Sequence, residues 1–319
     1  MAMQDSLVMP SPSLKFQNLD VTAKGEARAY VHFDGFKTLW FNTGTLCNIT
    51  CANCYIESSP TNDRLVYLSI ADIIPYLDEV DVMGQGPIEI GFTGGEPFLN
   101  PSMIDLARLA LARGHSVLIL TNAMKPMMRP RVQAGLQSLI ASAGSRLTFR
   151  VSLDHWSATE HDKERGAGGF EETCLGMDWL QAQGARMAIA GRTLWHEPEG
   201  QARGSYQALV SLRGWDIDFS DPLSLILFPE MDQRVDVPEI TPSCWQILNV
   251  DPGGLMCASA RMVVKRKGAE HAAVLACTLL PYDSAFEMGP SLRAATGDVK
   301  LNHRHCAKFC VLGGGSCSA

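Results

Sequence analysis

The chain has no apolar run of the ~18 residues that a membrane-spanning helix requires. Its first residues, Met1 to Leu14, lack a basic start followed by an apolar stretch, so no secretory signal is expected. Basic charge is short: 27 Lys and Arg face 34 Asp and Glu, for a formal net charge of −7. An acidic chain gains nothing from releasing counterions off a phosphate backbone, which argues against a nucleic-acid partner. The one basic cluster, Arg261 to Lys267, reads as a solvated hairpin. No repeat or low-complexity segment is visible, and a hydrophobic share of 46% excludes broad disorder. Together these absences point to a cytoplasmic location with neither membrane nor nucleic acid as partner. In a reducing compartment the ten cysteines are better read as metal ligands than as disulfides.

A length of 319 residues allows one large α/β domain and a small extra unit. Residues 1–35 read as an irregular lead-in with room for one hairpin. Apolar strands and helices then alternate. Strands are expected at 37–42, 87–93, 116–121, 147–153, 186–194 and 223–228. Helices are expected at 69–80, shortened or kinked by Pro75, and at 101–113, 129–143, 170–183 and 201–212. Six βα units with strands apolar on both faces imply a parallel sheet covered by helices. With no topological reversal, a partial (β/α)6 barrel fits better than a closed one. The core domain is expected over residues 36–240. After it, Gly, Cys and short strands mark a Cys-rich C-terminal subdomain at 241–319.

The strongest motif is Cys47-Asn48-Ile49-Thr50-Cys51-Ala52-Asn53-Cys54, directly after the first strand. Three thiolates this close can hold three corners of an iron–sulfur cubane and leave one iron open to activate a ligand. A structural zinc site would want a fourth Cys or His nearby, and neither Cys174 nor His115 supplies it.

This C-x3-C-x2-C run, at the head of a βα series, resembles the radical SAM superfamily over residues 36–230. The resemblance implies a [4Fe–4S] cluster on Cys47, Cys51 and Cys54 that binds S-adenosylmethionine (SAM) and cleaves it to a 5′-deoxyadenosyl radical. One departure is Asn53, where the family usually places an aromatic residue or His; Tyr55 follows the third Cys instead. At the end of the second strand, Thr93-Gly94-Gly95-Glu96-Pro97 resembles the family's motif for the SAM amino group. Its glycines permit close backbone approach to a ligand, and Glu96 suits an ammonium. Asn122 ends the third strand. Ser152 and Asp154 end the fourth, where the resemblance implies contacts to ribose and carboxylate; simple turn capping is the plainer reading. Arg192, on the fifth strand, can fork onto the SAM carboxylate or serve a structural ion pair. Phe228-Pro229-Glu230 ends the sixth strand, where the family often contacts adenine. His161 and Arg165, after Asp154, can reach the site but read first as a polar surface loop, and Trp195 and His196 as residues of a substrate mouth or simply solvated.

Six of the ten cysteines lie in the last unit: Cys244, Cys257, Cys277, Cys306, Cys310 and Cys317. Gly253 to Cys257 reads as the opening of a strand. Arg261–Val264 and Ala272–Ala276 read as the arms of a hairpin with Cys257 and Cys277 near its base. Cys306-x3-Cys310-x6-Cys317 then ends the unit. This loosely resembles the SPASM or twitch extension behind many radical SAM domains and implies one auxiliary [4Fe–4S] cluster. Its ligands would be Cys257, Cys277 and two of Cys306, Cys310 and Cys317, with Cys244 as the alternative; a zinc knob or free buried thiols is the competing reading. Cys174 reads as core. The expected activity is hydrogen abstraction from a peptide or small-molecule substrate, with electrons from a flavodoxin or ferredoxin. A lead-in of 35 residues is short for a separate peptide-recognition domain, so a peptide would need another docking route. The alternative from a different class is a non-catalytic iron–sulfur or zinc-binding scaffold.

Overall fold

The computed structural model describes residues 15–193, 195, 197–229 and 235–315. The chain enters through a short strand β1 (Tyr30–Val31) and continues as β2 (Thr38–Asn42), α1 (Ile70–Val82), β3 (Glu89–Thr93), α2 (Met103–Ala112), β4 (Ser116–Thr121), α3 (Pro130–Ala143) and β5 (Leu147–Ser152). Next come α4 (Ala158–Arg165), α5 (Gly169–Ala182), β6 (Arg186–Arg192), α6 (Glu199–Arg213) and β7 (Leu225–Phe228). The last part holds α7 (Ser243–Leu248), the helical turn α8 (Met256–Ser259), β8 (Ala260–Val264), β9 (Ala273–Leu275), β10 (Glu287–Gly289), β11 (Val299–Lys300) and a π-helical stretch at Cys306–Val311.

Among the described residues the main sheet has nine strands in the order β10-β9-β8-β2-β3-β4-β5-β6-β7. From β8 to β7 every neighbouring pair is parallel, and β9 and β10 add antiparallel strands at one edge. The fold is α/β with a mostly parallel sheet. Strands β2 to β7 fall where the hydrophobic runs predict them.

Period-2 alternation sorts the side chains onto two faces. Leu39, Phe41, Ile119 and Ile189 join α1, α2, α3, α5 and α6 in one core. Trp40, Leu118, Ala190 and Met262 pack instead with Leu279, Phe286, Leu301 and Phe309 of the C-terminal segment. Helices α1, α2, α3, α5 and α6 therefore cover one face. The apolar runs correctly predict burial on both faces, but the second cover is the chain's own C-terminal segment.

Several local expectations are corrected. Pro75 neither shortens nor ends α1, which runs through it to Val82. Pro75 forfeits one backbone bond, while the Asp72 carboxylate accepts from the Ser69 backbone N and Oγ at 2.8 and 2.7 Å and secures the helix start. The segment before Cys257 is not a strand; Met256–Ser259 makes a helical turn and β8 starts after it. Arg261 is not on a solvated hairpin. It is fully buried and donates to the carbonyls of Ala295, Cys257, Ala260 and Gly297 at 2.6–3.0 Å, with its guanidinium over the Phe33 ring. Pairing β8 with β2 carried this side chain inside, where backbone oxygens replace water. Nor is α4 a surface loop, since His161 is fully buried and the Arg165 side chain, 9% exposed, pairs with Asp154.

Candidate active site

The parallel registers bring the strand ends to one edge. Asn42 lies opposite Thr93, Thr121 opposite Val151, Ser152 opposite Ala190, and Arg192 opposite Phe228. A cleft of about 1020 Å³, counting its open mouth, sits over this edge. Cys47, Cys51 and Cys54 line it together with Gly94, Gly95, Asn122, Ser152, Asp154 and Arg192. These nine residues come from five separate loops or strand ends, and the sheet gathers them.

The cysteine loop is held from several sides. Cys47 N donates to Ser59 O at 3.0 Å, Ala52 N donates to Glu164 O at 2.9 Å, and Ser58 N donates to Cys54 Sγ at 3.2 Å. Asn53 points away from the cleft, its Nδ2 donating to both Glu164 oxygens at 2.9 Å. Tyr55 takes the aromatic place in the lining, packed edge-on to Phe228 and Phe309.

The two glycines serve the loop as well as the cleft. A Cβ on Gly95 would lie 2.1 Å from Leu46 O, and one on Gly94 would lie 2.4 Å from Gly44 O. Gly94 also has φ +143°. With no side chain in the way, Gly95 N donates to Gly44 O at 2.8 Å and Glu96 N to Leu46 O at 3.1 Å, clamping the β3 loop onto the cysteine loop. Glu96 is 2% exposed and does not line the cleft. Its carboxylate accepts from Thr121 Oγ1 at 2.9 and 3.0 Å, Asn122 N at 2.9 Å and Phe98 N at 3.2 Å. Burial pushes its pKa up to about 7 against those hydrogen bonds. Asn122 in turn donates to Asn48 Oδ1 at 2.9 Å and reaches Cys47 Sγ at 3.9 Å.

Asp154 carries the site's electrostatics. It accepts from Arg165 Nε and Nη2 at 2.7 and 3.0 Å and lies 3.3 Å from Arg192 Nε. Burial alone would raise its carboxyl pKa, but Arg165 and then Arg192 hold it below the usual range. Arg192 also donates through Nη2 to Asn53 O at 2.7 Å and lies over the Tyr55 ring. Its Nη1 is buried with no partner in the protein. A buried guanidinium nitrogen aimed at a cleft without an acceptor suits a ligand carboxylate. Arg165 lines the same cleft and is the main residue that the sequence reading placed elsewhere. Its one local signal was Gly166, which stops α4 one residue later and leaves Arg165 in the last turn.

The thiols suit a metal centre. Burial raises the pKa of Cys47 to about 12 and also raises that of Cys51, so neither is a thiolate at neutral pH until a metal displaces the proton. Among the described residues no three Cys, His, Asp or Glu side chains converge as ligands of a single ion. Three soft sulfur donors on one loop are a ligand set that suits an iron–sulfur cluster.

A second cavity lies in the C-terminal segment. Cys257, Cys277, Cys306 and Cys310 all line it, with His305 beside them. Cys244, the alternative ligand, is absent from that lining; it sits in α7 with its Sγ accepting from Thr241 N at 3.4 Å. Cys174 is fully buried in α5. Cys317, His196 and Glu230 lie outside the described residues. Trp195 packs on His155 at 4.5 Å between ring centroids and does not line the cleft. Cys47, Cys51, Cys54, Cys174, Cys244, Cys257 and Cys306 are free thiols, and among the described residues no helix is long and apolar enough to cross a membrane.

This arrangement agrees with what the chain is similar to. It is 30% identical over 145 residues to the antilisterial bacteriocin subtilosin biosynthesis protein AlbA of Bacillus subtilis, covering 45% of this chain and 30% of that protein. It is 32% identical over 136 residues to the AdoMet-dependent heme synthase of Methanosarcina barkeri, covering 42% and 36%. The match thus spans about a third of each relative's length. In fold it is similar to native anSMEcpe solved with bound AdoMet and Kp18Cys peptide, with a TM-score of 0.57, 12% identity, and coverage of 86% of this chain and 83% of that one. The Radical SAM superfamily model matches residues 41–193, from the end of β2 to just past β6, which is the stretch that supplies the three thiols and most of the cleft. On that footing residues 41–193 form a domain of the radical SAM superfamily.

Proposed function

We propose that this protein cleaves SAM reductively at a [4Fe–4S] cluster held by Cys47, Cys51 and Cys54, and uses the resulting radical on a peptide or small-molecule substrate. The observation that carries this reading is the meeting, in one cleft, of three thiols with two buried arginines, one of which has a free donor. When bound, the cluster and SAM supply one-electron cleavage of the S–C5′ bond, giving methionine and a 5′-deoxyadenosyl radical that takes a hydrogen atom from the substrate. The chain's own part is binding, orientation and exclusion of water. Arg192 and Arg165 receive the SAM carboxylate, with Asp154 fixing both guanidiniums. Tyr55 and Phe228 supply apolar surface for the adenosyl group, and Ser152 and Asn122 supply polar contacts. Glu96 acts from behind, joining the β3 loop to β4, in place of the direct ammonium contact its motif suggested. The strand edge that bears these groups is open between β7 and β10, which supports the partial-barrel reading.

The second cavity supports an auxiliary [4Fe–4S] cluster on Cys257, Cys277, Cys306 and Cys310, in a SPASM- or twitch-like segment that follows the 36–240 core. Leu279 lines both cavities, so this cluster would sit next to the radical cleft, where it can accept an electron from the substrate. Net oxidation of the substrate is therefore the favoured outcome. The relatives include one protein of bacteriocin biosynthesis and one heme synthase, which leaves peptide and small molecule both open. A cytoplasmic flavodoxin or ferredoxin is the proposed electron source.

The test is anaerobic reconstitution followed by iron analysis and addition of SAM with dithionite. Near eight irons per chain with 5′-deoxyadenosine formed is the expected result. Alanine at Cys47, Cys51 or Cys54 must abolish 5′-deoxyadenosine, whereas alanine at Cys277 or Cys306 must lower the iron count and leave SAM cleavage in place. Iron without 5′-deoxyadenosine, or zinc in its place, would return the protein to the scaffold reading.

A further inference from the structure

The cysteine loop is fastened at its far end by backbone bonds to the segment after β8: Val66 N donates to Lys265 O at 2.8 Å, and Lys267 N to Arg64 O at 2.9 Å. Its near end, residues 56–62, has a different anchor. Tyr282 Oη donates to Ile56 O at 2.8 Å and accepts from Asn62 Nδ2 at 3.2 Å. The same Asn62 Nδ2 donates to Glu57 O at 2.8 Å, and the Arg64 guanidinium lies over the Tyr282 ring, 3.5 Å from its centroid. One phenol therefore touches both ends of a seven-residue turn that begins two residues after Cys54.

That turn carries working atoms. Ile56 and Ser58 line the cleft, and Ser58 N is the donor to Cys54 Sγ. Tyr282 does not line the cleft, so it acts only through the turn. Five residues upstream, Cys277 lines the second cavity, and between them Thr278 and Leu279 line the cleft. The strap 277–282 thus runs from the second cavity, along the cleft wall, to the turn behind the third cysteine.

We propose that Tyr282 is a positioning residue for the three-cysteine loop, through which the C-terminal segment sets the geometry at Cys54 and the affinity for SAM. The inference rests on the reading of that loop as the SAM-binding centre. Oη makes two such hydrogen bonds, and the net loss of even one shifts a local opening equilibrium about fivefold.

The experiment compares the full-length protein with Tyr282→Phe, which keeps the ring over Arg64 and removes only Oη. Hydrogen exchange over residues 56–62 is expected to quicken about fivefold in the iron-free protein. After reconstitution, KM for SAM is expected to rise by a similar factor with little change in kcat and an unchanged iron count. Asn62→Ala, which also removes the bond to Glu57 O and the acceptor of Arg64 N, should quicken exchange over 56–62 at least as much, and the double variant should fall short of the sum of the two, because they share the Tyr282–Asn62 contact. Unchanged exchange over 56–62 together with an unchanged KM for SAM would overturn the proposal. Should the wild-type protein form no 5′-deoxyadenosine, the functional reading fails, while exchange in the iron-free protein still decides whether Tyr282 holds the turn.

Discussion

Replacing Asp154 with Asn keeps the shape of the side chain and removes the negative charge shared by two buried guanidiniums. The Arg165 and Asp154 side chains are 9% and 3% exposed, and that of Arg192 is 8% exposed. Water therefore cannot take over from the carboxylate. Removing one partner from a buried pair typically costs about 3–5 kcal/mol, because the remaining charge is stranded. The Asn oxygen still accepts one hydrogen bond, which places the expected loss near the lower end, at about 3 kcal/mol. The assay is urea unfolding of the iron-free protein at pH 7, following the first transition. The pH dependence supplies a second check. The Asp154 pKa is depressed in the folded state, so its contribution is complete above the unfolded value of about 3.9 and is lost only as pH falls through the lower folded value. The wild-type advantage over Asp154→Asn must therefore stay constant from pH 5 to 8, on the order of the full 3 kcal/mol. A difference under about 1 kcal/mol, or one that fades near neutrality, would refute the account of Asp154 as the pin of both arginines.

Gly95→Ala puts a Cβ against Leu46 O and forces the cysteine loop to move by about 1 Å; a shift of that size lowers SAM cleavage on the order of a hundredfold, measured as 5′-deoxyadenosine formed, while the circular dichroism of the iron-free protein is unchanged. Arg192→Met removes the free buried donor and is expected to weaken SAM binding by roughly 10- to 100-fold in calorimetry of the reconstituted protein; unchanged affinity would assign the carboxylate to Arg165 alone. Glu96 has the opposite pH sign to Asp154. Its folded pKa, at about 7, lies above the unfolded value of about 4.3, so its stabilisation is complete below about 4.3 and disappears as pH rises through about 7. Urea midpoints taken across that window should fall with pH in the wild-type protein and flatten in Glu96→Gln.

Short-range chemistry made part of this protein legible in its sequence. The spacing Cys47-x3-Cys51-x2-Cys54 confines three thiols to one loop in any fold, and apolar runs of strand length find their place in a parallel sheet because they must be buried on both faces. Gly94 and Gly95 were legible as points of close approach, since only glycine tolerates a carbonyl that near. Which backbone comes close was not: the nearest contact is the cysteine loop itself. Arg165 and Arg261 show the limit more sharply. A charged side chain in a polar stretch reads as solvated, because the groups that neutralise it lie at other strand ends or on carbonyls far along the chain. The sequence by itself determined the three-thiol centre, the βα order and the surplus of cysteines after residue 240. Only the tertiary structure decided that the segment after residue 240 closes the second face of the sheet, that four of its cysteines share one cavity, and that Asp154, Arg165 and Arg192 form one network. Those facts depend on strand pairing and register, and the paired residues Thr38 and Ala260 of β2 and β8 lie 222 residues apart, beyond the reach of any local pattern.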